Sequence, residues 1–390
     1  MSTGERVASA RKQVLIAGAS FAGLSSAFWL REMGYQVTIV EIGYGVKQGG
    51  APVTIRDRTL EIVKRMGLFE RVVAQRIRTR DIQLQDAAGV IQATLPHVHH
   101  DGGDYGGDDG GDYDIERDSL LRMIFDMVHD DVEFIFGDSV AALHEQADGI
   151  DVAFRHAPPR SFDLVLGCDG IDSTVRSLRF GDTARYRHAL GACFSVTVVD
   201  QLLIADNSAQ MYTEPGLAAM LNAYQGRTDI VLCFAASAPL AWDRRNEAQQ
   251  RRLLAERFTS KAWRIPELLA EVKKSKEFYF DELCQIKMPS WASGRVVLVG
   301  DAACCASPAA GMGGALAIDA ASALAEALAR HGDDHALAFR DYEHSFRPYI
   351  ERVQADAAAF GVDSLLPGTA AAVAPRRSQG KRAVADRLFT

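Results

Sequence analysis

Two segments far apart in this chain constrain its fold more than any bulk property. Near the N-terminus an apolar run, Val14-Leu15-Ile16-Ala17, passes into Gly18-Ala19-Ser20-Phe21-Ala22-Gly23. Much later a second apolar run, Val296-Val297-Leu298-Val299, passes into Gly300-Asp301-Ala302, then Pro308 and Gly311-Met312-Gly313-Gly314. Each reads as a strand that ends in glycine before a helix, the connection found in parallel α/β sheets.

Around the first segment the spacing predicts one β-α-β unit. Residues 13–17 form a strand, Leu24 to Met33 a helix ending at Gly34, and Val37 to Val40 a second strand closing on Glu41. Arg58 to Met66 reads as a helix stopped by Gly67. Ile82–Leu84 and Val90–Leu95 read as strands, Ser119–His129 as a helix, and Val132–Phe136, Ile150–Phe154 and Leu164–Leu166 as strands. From about 185 to 237 the β-α-β rhythm stops. Ala192–Val199, Gln210–Tyr212, Ala218–Ala223 and Ile230–Phe234 suggest an inserted antiparallel sheet. Helices follow at Glu247–Arg257 and Pro266–Lys273, then strands at Phe278–Ile286 and Arg295–Val299. Ala315–Arg330 and His335 to about Phe360 are helical, and a flexible tail follows Pro367.

The 390 residues suffice for two structural units, and a formal charge of −8 argues against a general nucleic-acid binder. No apolar stretch is long enough to insert in a membrane, and nothing resembles a secretory signal. Cys168, Cys193, Cys233, Cys284, Cys304 and Cys305 are scattered in apolar runs without paired spacing, as expected of buried reduced thiols in a cytoplasmic protein. The stretch His97 to Tyr113 carries His97, His99 and His100 with Asp101, Asp104, Asp108, Asp109 and Asp112. Its spacing matches no metal motif, so we read a solvated loop and assign no metal site.

The chemistry of the turns is specific. Gly18 permits a tight bend, a small side chain at Ser20 lets backbone approach a pyrophosphate, and Gly23 lets helix and strand pack closely. Free N–H groups at the helix start favour an anion there. Glu41 is placed to accept from an adenosine ribose hydroxyl, which fits FAD or NAD and repels a 2′-phosphate. Taken alone, the same residues also fit a β-α-β unit that binds no nucleotide. A middle segment, Leu164-Val165-Leu166-Gly167-Cys168-Asp169-Gly170, followed by Ser173 and Arg176, reads alone as a strand with an Asp-Gly turn. In the last segment Asp301 can bind a ribose or ribityl hydroxyl. The helix opening near Gly313 can stabilise negative charge on a reduced flavin, or can be a core helix with a glycine-lined start.

In order, these three segments resemble the FAD-dependent aromatic hydroxylases, single-component flavoprotein monooxygenases with the para-hydroxybenzoate hydroxylase fold. The resemblance runs from about Val14 to Pro348, and the length is similar to compact members such as the tetracycline-inactivating monooxygenases. Ile115-Glu116-Arg117 resembles the place of a flavin-contacting arginine, Asp319-Ala320 the family's following helix, and Tyr342-Glu343 with Arg347-Pro348 its closing helix. Ser20, Ile42, Cys304 and Ala309 depart from the pattern, standing where a glycine, a basic residue, a histidine and a proline are common.

The resemblance implies an α/β fold: an FAD-binding Rossmann-like domain with an inserted, mainly antiparallel β-sheet substrate domain and C-terminal helices. It divides the chain into FAD-binding parts at 1–80, 105–180 and 286–330, a sheet segment at 81–104, a substrate domain at 181–285, a helical segment at 331–366 and a tail at 367–390. The implied cofactor residues are Gly18, Ser20, Phe21, Ala22, Gly23, Glu41, Arg117, Asp169, Asp301, Pro308, Gly311, Met312, Gly313 and Gly314. The implied reaction uses FAD, NADPH or NADH as a transient reductant, and dioxygen, and hydroxylates an aromatic or polycyclic, polyketide-like molecule through a flavin hydroperoxide. No protein nucleophile is needed and no catalytic residue is assigned. Phe194, Met211, Tyr212, Met220, Leu221, Tyr224 and Phe234 form the expected apolar wall, with Arg56, Asp57 and His188 as minor candidates for assisting ionisation. Two other readings stay open. One is a flavin-dependent halogenase, whose tryptophan motif is half present in Lys261-Ala262-Trp263-Arg264-Ile265-Pro266; Lys261 stands where the first tryptophan would be and Pro266 suits a helix start, so we read the match as a coincidence. The other is a flavin-fold protein that binds a ligand without turnover.

Overall fold

The computed structural model describes residues 11–46, 49–78, 82–95, 112–236, 242–244 and 246–366. The tail from 367, and the Gly/Asp-rich stretch except Asp112 and Tyr113, lie outside the described residues.

The chain opens as the sequence predicts. β1 (Gln13–Ala17), α1 (Phe21–Glu32) and β2 (Gln36–Glu41) form a β-α-β unit with parallel strands, Val14 opposite Val37 and Ala17 opposite Val40. The helix starts at Phe21, ahead of the expected Leu24, because Phe21, Ala22 and Gly23 are all buried and packing overrides the low helix propensity of glycine. Next come β3 (Val53–Ile55), α2 (Asp57–Arg65), α3 (Phe69–Ala74) and β4 (Arg76–Ile77). β5 (Ile82–Gln85) and β6 (Ile91–Leu95) form a hairpin, and β7 (Tyr113–Ile115) joins β3 and β4 in a small sheet. Tyr113, expected in the loop, is therefore a strand residue.

α4 (Arg117–Val128) leads to β8 (Glu133–Phe136). A three-stranded meander follows: β9 (Val140–Glu145), β10 (Ile150–Phe154) and β11 (Arg160–Phe162). Of these three strands only β10 alternates regularly, with Ile150, Val152 and Phe154 buried and Asp151 and Ala153 half-buried between them. β12 (Leu164–Gly167) and α5 (Thr174–Phe180) close this part.

The inserted region holds β13 (Arg187–Val199), β14 (Ser208–Glu214), β15 (Leu217–Tyr224), β16 (Arg227–Ala235), α6 (Glu247–Arg257), α7 (Ile265–Lys274) and β17 (Glu277–Ile286). The chain ends with β18 (Ala292–Ser293), β19 (Val296–Leu298), α8 (Asp301–Cys304), α9 (Gly313–His331) and α10 (His335–Asp356). A π-helical turn at Ala357–Gly361 then leads into α11 (Val362–Leu365).

Two main sheets result. The first runs β18-β19-β12-β1-β2-β8, parallel except at β18, with α1 packed on α9 and α9 on α10. Its central strands are buried on both faces, which is why they read as continuous apolar runs. The second runs β17-β13-β16-β15-β14-β5-β6 and is antiparallel except where β14 meets β5.

Strand alternation gives the second sheet two distinct faces. Tyr212, Leu221, Ile230, Leu232, Phe234 and Phe280 pack with Leu254, Leu268 and Val272 of α6 and α7. Phe194, Val196, Met211, Met220, Val231 and Leu283 lie on the other face, toward Ala309, Leu365 and Leu366. The expected apolar wall is therefore split. Phe194, Met211 and Met220, with Tyr224 on the same parity, face the nucleotide-binding part, whereas Tyr212, Leu221 and Phe234 are core under the helices. Among the described residues no helix is long and apolar enough to cross a membrane.

Candidate cofactor and substrate site

The first glycine turn is built by close approaches of backbone. Gly18 has φ +103°, and a Cβ on it would lie 2.5 Å from the Cys168 carbonyl oxygen at the end of β12. A Cβ on Gly23 would lie 1.9 Å from the Gly18 carbonyl oxygen, so glycine is required for α1 to start there. Glu41 completes the turn: its Oε2 accepts from Ala19 N–H at 2.8 Å and its Oε1 from Gly43 N–H at 2.8 Å. Each carboxylate oxygen keeps a second lone pair, enough for a vicinal diol. A separate cavity of about 650 Å³ is lined mainly by α3, Gln75 and α4 (Arg71, Gln75, Ser119, Arg122, Asp126), with Gly45, Val46 and Phe136 at its edge, and none of the expected cofactor residues lines it.

The second turn meets the first. A Cβ on Gly300 would lie 3.1 Å from Ala22 Cβ and 3.5 Å from Ala317 Cβ, so Gly300 is wedged between the first turns of α1 and α9. A Cβ on Gly314 would lie 2.9 Å from Val53 and 3.2 Å from the Phe21 ring. Around Gly311 and Gly313 there is open space, with nothing within 4 Å of an added Cβ. Neither α1 nor α9 has a side-chain cap or an acidic residue in its first turn, so both helix starts leave N–H groups for a ligand. Asp301 begins α8 beside them, and burial pushes its carboxyl pKa up. Met312 is the residue before α9, and Pro308 opens a short 3-10 turn on the exposed side.

A buried polar frame holds this second loop. Gln354 Nε2 donates to the carbonyls of Ile286 at 2.9 Å and Cys305 at 3.0 Å, and Gln285 Nε2 to Gln354 O at 2.7 Å. Glu343 accepts from Ser290 Oγ and Trp291 N–H, Arg347 donates to the Met288 carbonyl, and the Tyr342 hydroxyl reaches the Leu298 carbonyl at 3.4 Å. The closing-helix residues thus brace the strand that delivers Asp301. All six cysteines are buried and free; burial pushes the thiols of Cys193, Cys233 and Cys284 up to about 12, leaving them unreactive.

Asp169 stands apart from the other expected residues. Its carboxylate caps α5, accepting from the Ser173 hydroxyl, from Thr174 N–H at 2.6 Å and from Val175 N–H at 3.0 Å. Its backbone contributes to the turn, since its Cα lies 3.1 Å from where a Gly18 Cβ would be. Arg176, fully buried, donates to the Ala302 carbonyl at 2.8 Å and to the Ile171 carbonyl, tying the middle segment to the last.

Arg117 lies between these turns and the second sheet. It donates to the Gly49 carbonyl at 3.1 Å and to Ser20 Oγ at 3.3 Å, and its guanidinium sits 5.4 Å from the Phe21 ring centroid. Ser20 therefore accepts a hydrogen bond here. Burial lowers the Arg117 pKa, against the charge of Asp118.

Facing this group is the inner face of the second sheet. Its apolar centre is bordered by Tyr279, whose hydroxyl donates to Asp281 at 3.1 Å and whose ring lies 5.6 Å from Phe194. Asp281 also accepts from Arg187 at 3.1 Å and Arg244 at 2.8 Å, and both arginines reach Asp172 in the loop after Asp169. Sequence reasoning missed this group. Its members are far apart in the chain, and only the three-dimensional pairing identifies them.

The minor candidates fall outside the site's centre. Arg56 is buried beside Asp57, Asp57 is 89% exposed, and His188 is exposed on β13. Trp263 stacks on Tyr212 at 5.7 Å and donates to Gln85 at 2.8 Å, on the face covered by α6 and α7. The half-motif that suggested halogenation thus points away from the candidate site. Among the described residues no cluster could hold a metal ion, and the histidine-bearing loop lies outside them.

A family model described as an FAD binding domain matches residues 11–356. A flavin-dependent monooxygenase from an unknown prokaryotic organism is 30% identical over 90% of this chain and 89% of its own. The chain belongs to this family of FAD-binding, flavin-dependent monooxygenases. An uncharacterised protein of Mycobacterium tuberculosis is 33% identical over 88% of this chain and 92% of its own. The crystal structure of the tetracycline destructase Tet(51) superposes with a TM-score of 0.84 at 28% identity, covering 97% of this chain and 96% of that one. The family accounts for the fold: a parallel nucleotide-binding sheet, an antiparallel substrate sheet and C-terminal helices.

Proposed function

We propose that this chain uses FAD, NADPH or NADH, and dioxygen to place one oxygen atom on an aromatic or polycyclic, polyketide-like molecule. The observation that carries the reading is the meeting of two uncapped helix starts at Gly300, with open space at Gly311 and Gly313 opposite an apolar sheet face. That space and those N–H groups fit FAD. When bound, FAD supplies the redox and oxygen chemistry.

The chain's own residues do the rest. The first turn of α1 binds the pyrophosphate through backbone N–H groups, with Arg117 adding positive charge beside Ser20. Glu41 accepts from the adenosine ribose, and Asp301 from a hydroxyl of the ribityl chain. The start of α9, around Met312 to Gly314, stabilises negative charge on the ring system. Phe194, Val196, Met220 and Val231 orient an apolar substrate and exclude water, while Tyr279 offers a polar contact at the border. Asp169 supports the turn through its backbone and caps α5.

Purified full-length protein is expected to carry FAD, and the right substrate to accelerate NAD(P)H oxidation with a one-oxygen mass gain. The likeness to Tet(51) makes a tetracyclic polyketide a suitable first probe beside simple phenols. Asp301→Ala should lower FAD retention at least tenfold; unchanged occupancy would remove Asp301 from the site. Chlorinated product from chloride, dioxygen and reduced flavin would instead establish halogenation. Bound FAD with no ligand-stimulated turnover would establish a binding protein.

A further inference from the structure

Glu116, Arg117 and Asp118 are consecutive; the last two hold Gly49 between them, and the first reaches a different part of the molecule. Asp118 accepts from Gly49 N–H at 2.8 and 2.9 Å. Arg117 reaches the Gly49 carbonyl and Ser20. Glu116 turns the other way, to the substrate sheet: its Oε1 accepts from Arg227 Nη1 at 2.9 Å, and its Oε2 from Ser119 Oγ at 2.8 Å. Glu116 is also the residue before α4, and its carbonyl accepts from Leu120 N–H. The three side chains thus join the 49–50 loop, the glycine turn and the sheet at one helix start.

The sheet side of this joint is rigid for reasons visible in the backbone. Arg227 follows Gln225 and Gly226, with φ +50° and +82°, in a two-residue hairpin that pairs Tyr224 with Arg227. Directly behind, the Tyr224 hydroxyl donates to Asp229 Oδ2 at 2.9 Å, and Asp229 is fully buried on the inner face. Arg227 also touches Asp200 at 3.4 Å, but Asp200 is 84% exposed while Glu116 is only 18% exposed. The Glu116 pair is therefore the stronger of the two, because it is the less screened.

We propose that Arg227, through Glu116, is a positioning residue for Arg117. The substrate sheet thereby sets how firmly the cofactor is held. The proposal rests on the reading that Arg117 flanks FAD. It predicts that a residue on the sheet, far from the glycine turn in sequence, controls cofactor retention by holding the first residues of α4 in place.

The test is the rate of FAD release from the loaded full-length protein on dilution, read as the rise in free-flavin fluorescence, alongside the melting temperature. Arg227→Met and Glu116→Gln should each speed release about tenfold. The double variant should be no faster than either single one, since both break the same bond. Arg227→Lys should stay within about threefold of the parent. If Arg227→Met releases FAD at the parent rate while Arg117→Gln speeds release, the proposal is wrong and the cofactor reading stands. If Arg117→Gln also has no effect, the cofactor reading of Arg117 fails, and the proposal with it. Loss in Arg227→Met that Arg227→Lys does not rescue, or fully additive single effects, would show a merely structural role and overturn it.

Discussion

The two glycine turns look alike in sequence and are built on opposite principles. At Gly18 and Gly23 the glycines are closed in, with backbone carbonyls 2.5 and 1.9 Å from where a Cβ would stand. At Gly311 and Gly313 they are open, with nothing within 4 Å. The first turn uses glycine so that strand and helix can pack. The second is packed in the same way at Gly300 and Gly314, and differs at Gly311 and Gly313, which leave a space clear in front of a helix start. A glycine motif therefore carries two messages, one about close packing and one about open space, and only the surroundings separate them.

The contrast is easiest to break with single substitutions. Gly23→Ala should have the largest effect, costing about 3 kcal/mol or more because its methyl has only the Gly18 carbonyl to displace. The variant should be insoluble or melt far below the parent. Gly313→Val should do the reverse. Its melting temperature without FAD should remain near the parent's, while FAD affinity falls about tenfold or more. If Gly313→Val binds FAD normally, the open space is not the cofactor's.

A pH-dependent effect belongs to the helix behind the second turn. Asp319 of α9 is fully buried; its Oδ1 accepts from Thr59 at 2.8 Å and its Oδ2 has no partner among the described residues. Burial raises its pKa from 3.8 to about 6. Between those values the unfolded chain gives up the proton first, so this group makes stability fall as pH rises from about 4 to 6, then level off. Asp319→Asn should remove that slope, gaining about 2 kcal/mol relative to the parent between pH 4 and pH 7. Parallel pH profiles would show that Asp319 does not titrate in the fold.

What sequence revealed follows the same division. The β1-α1-β2 unit and the strand into Gly300 were legible because local runs of apolar residues specify their strands, and α6 because Glu, Gln, Arg, Leu and Ala are strong helix formers. So was the family, because three segments occur in order. The split of the apolar wall was not, since Tyr212 and Met211 differ only by strand parity, and parity has meaning only once α6 and α7 cover one face. Asp169, expected at the cofactor from the resemblance, has a carboxylate that accepts from Ser173 and Thr174 at the start of α5, a contact its Asp-Gly turn did not announce. The charged contacts that seat the substrate sheet, Glu116 with Arg227 and Asp172 with Arg187 and Arg244, join residues with no local relation.

The most direct test of the account is to supply FAD-loaded protein with NADPH, a tetracyclic polyketide or a simple phenol, and isotopically labelled dioxygen, and to weigh the product. The account predicts a product heavier by one labelled oxygen atom, formed only with the reductant present. No oxygenated product across the set, or an added oxygen drawn from water, would contradict it.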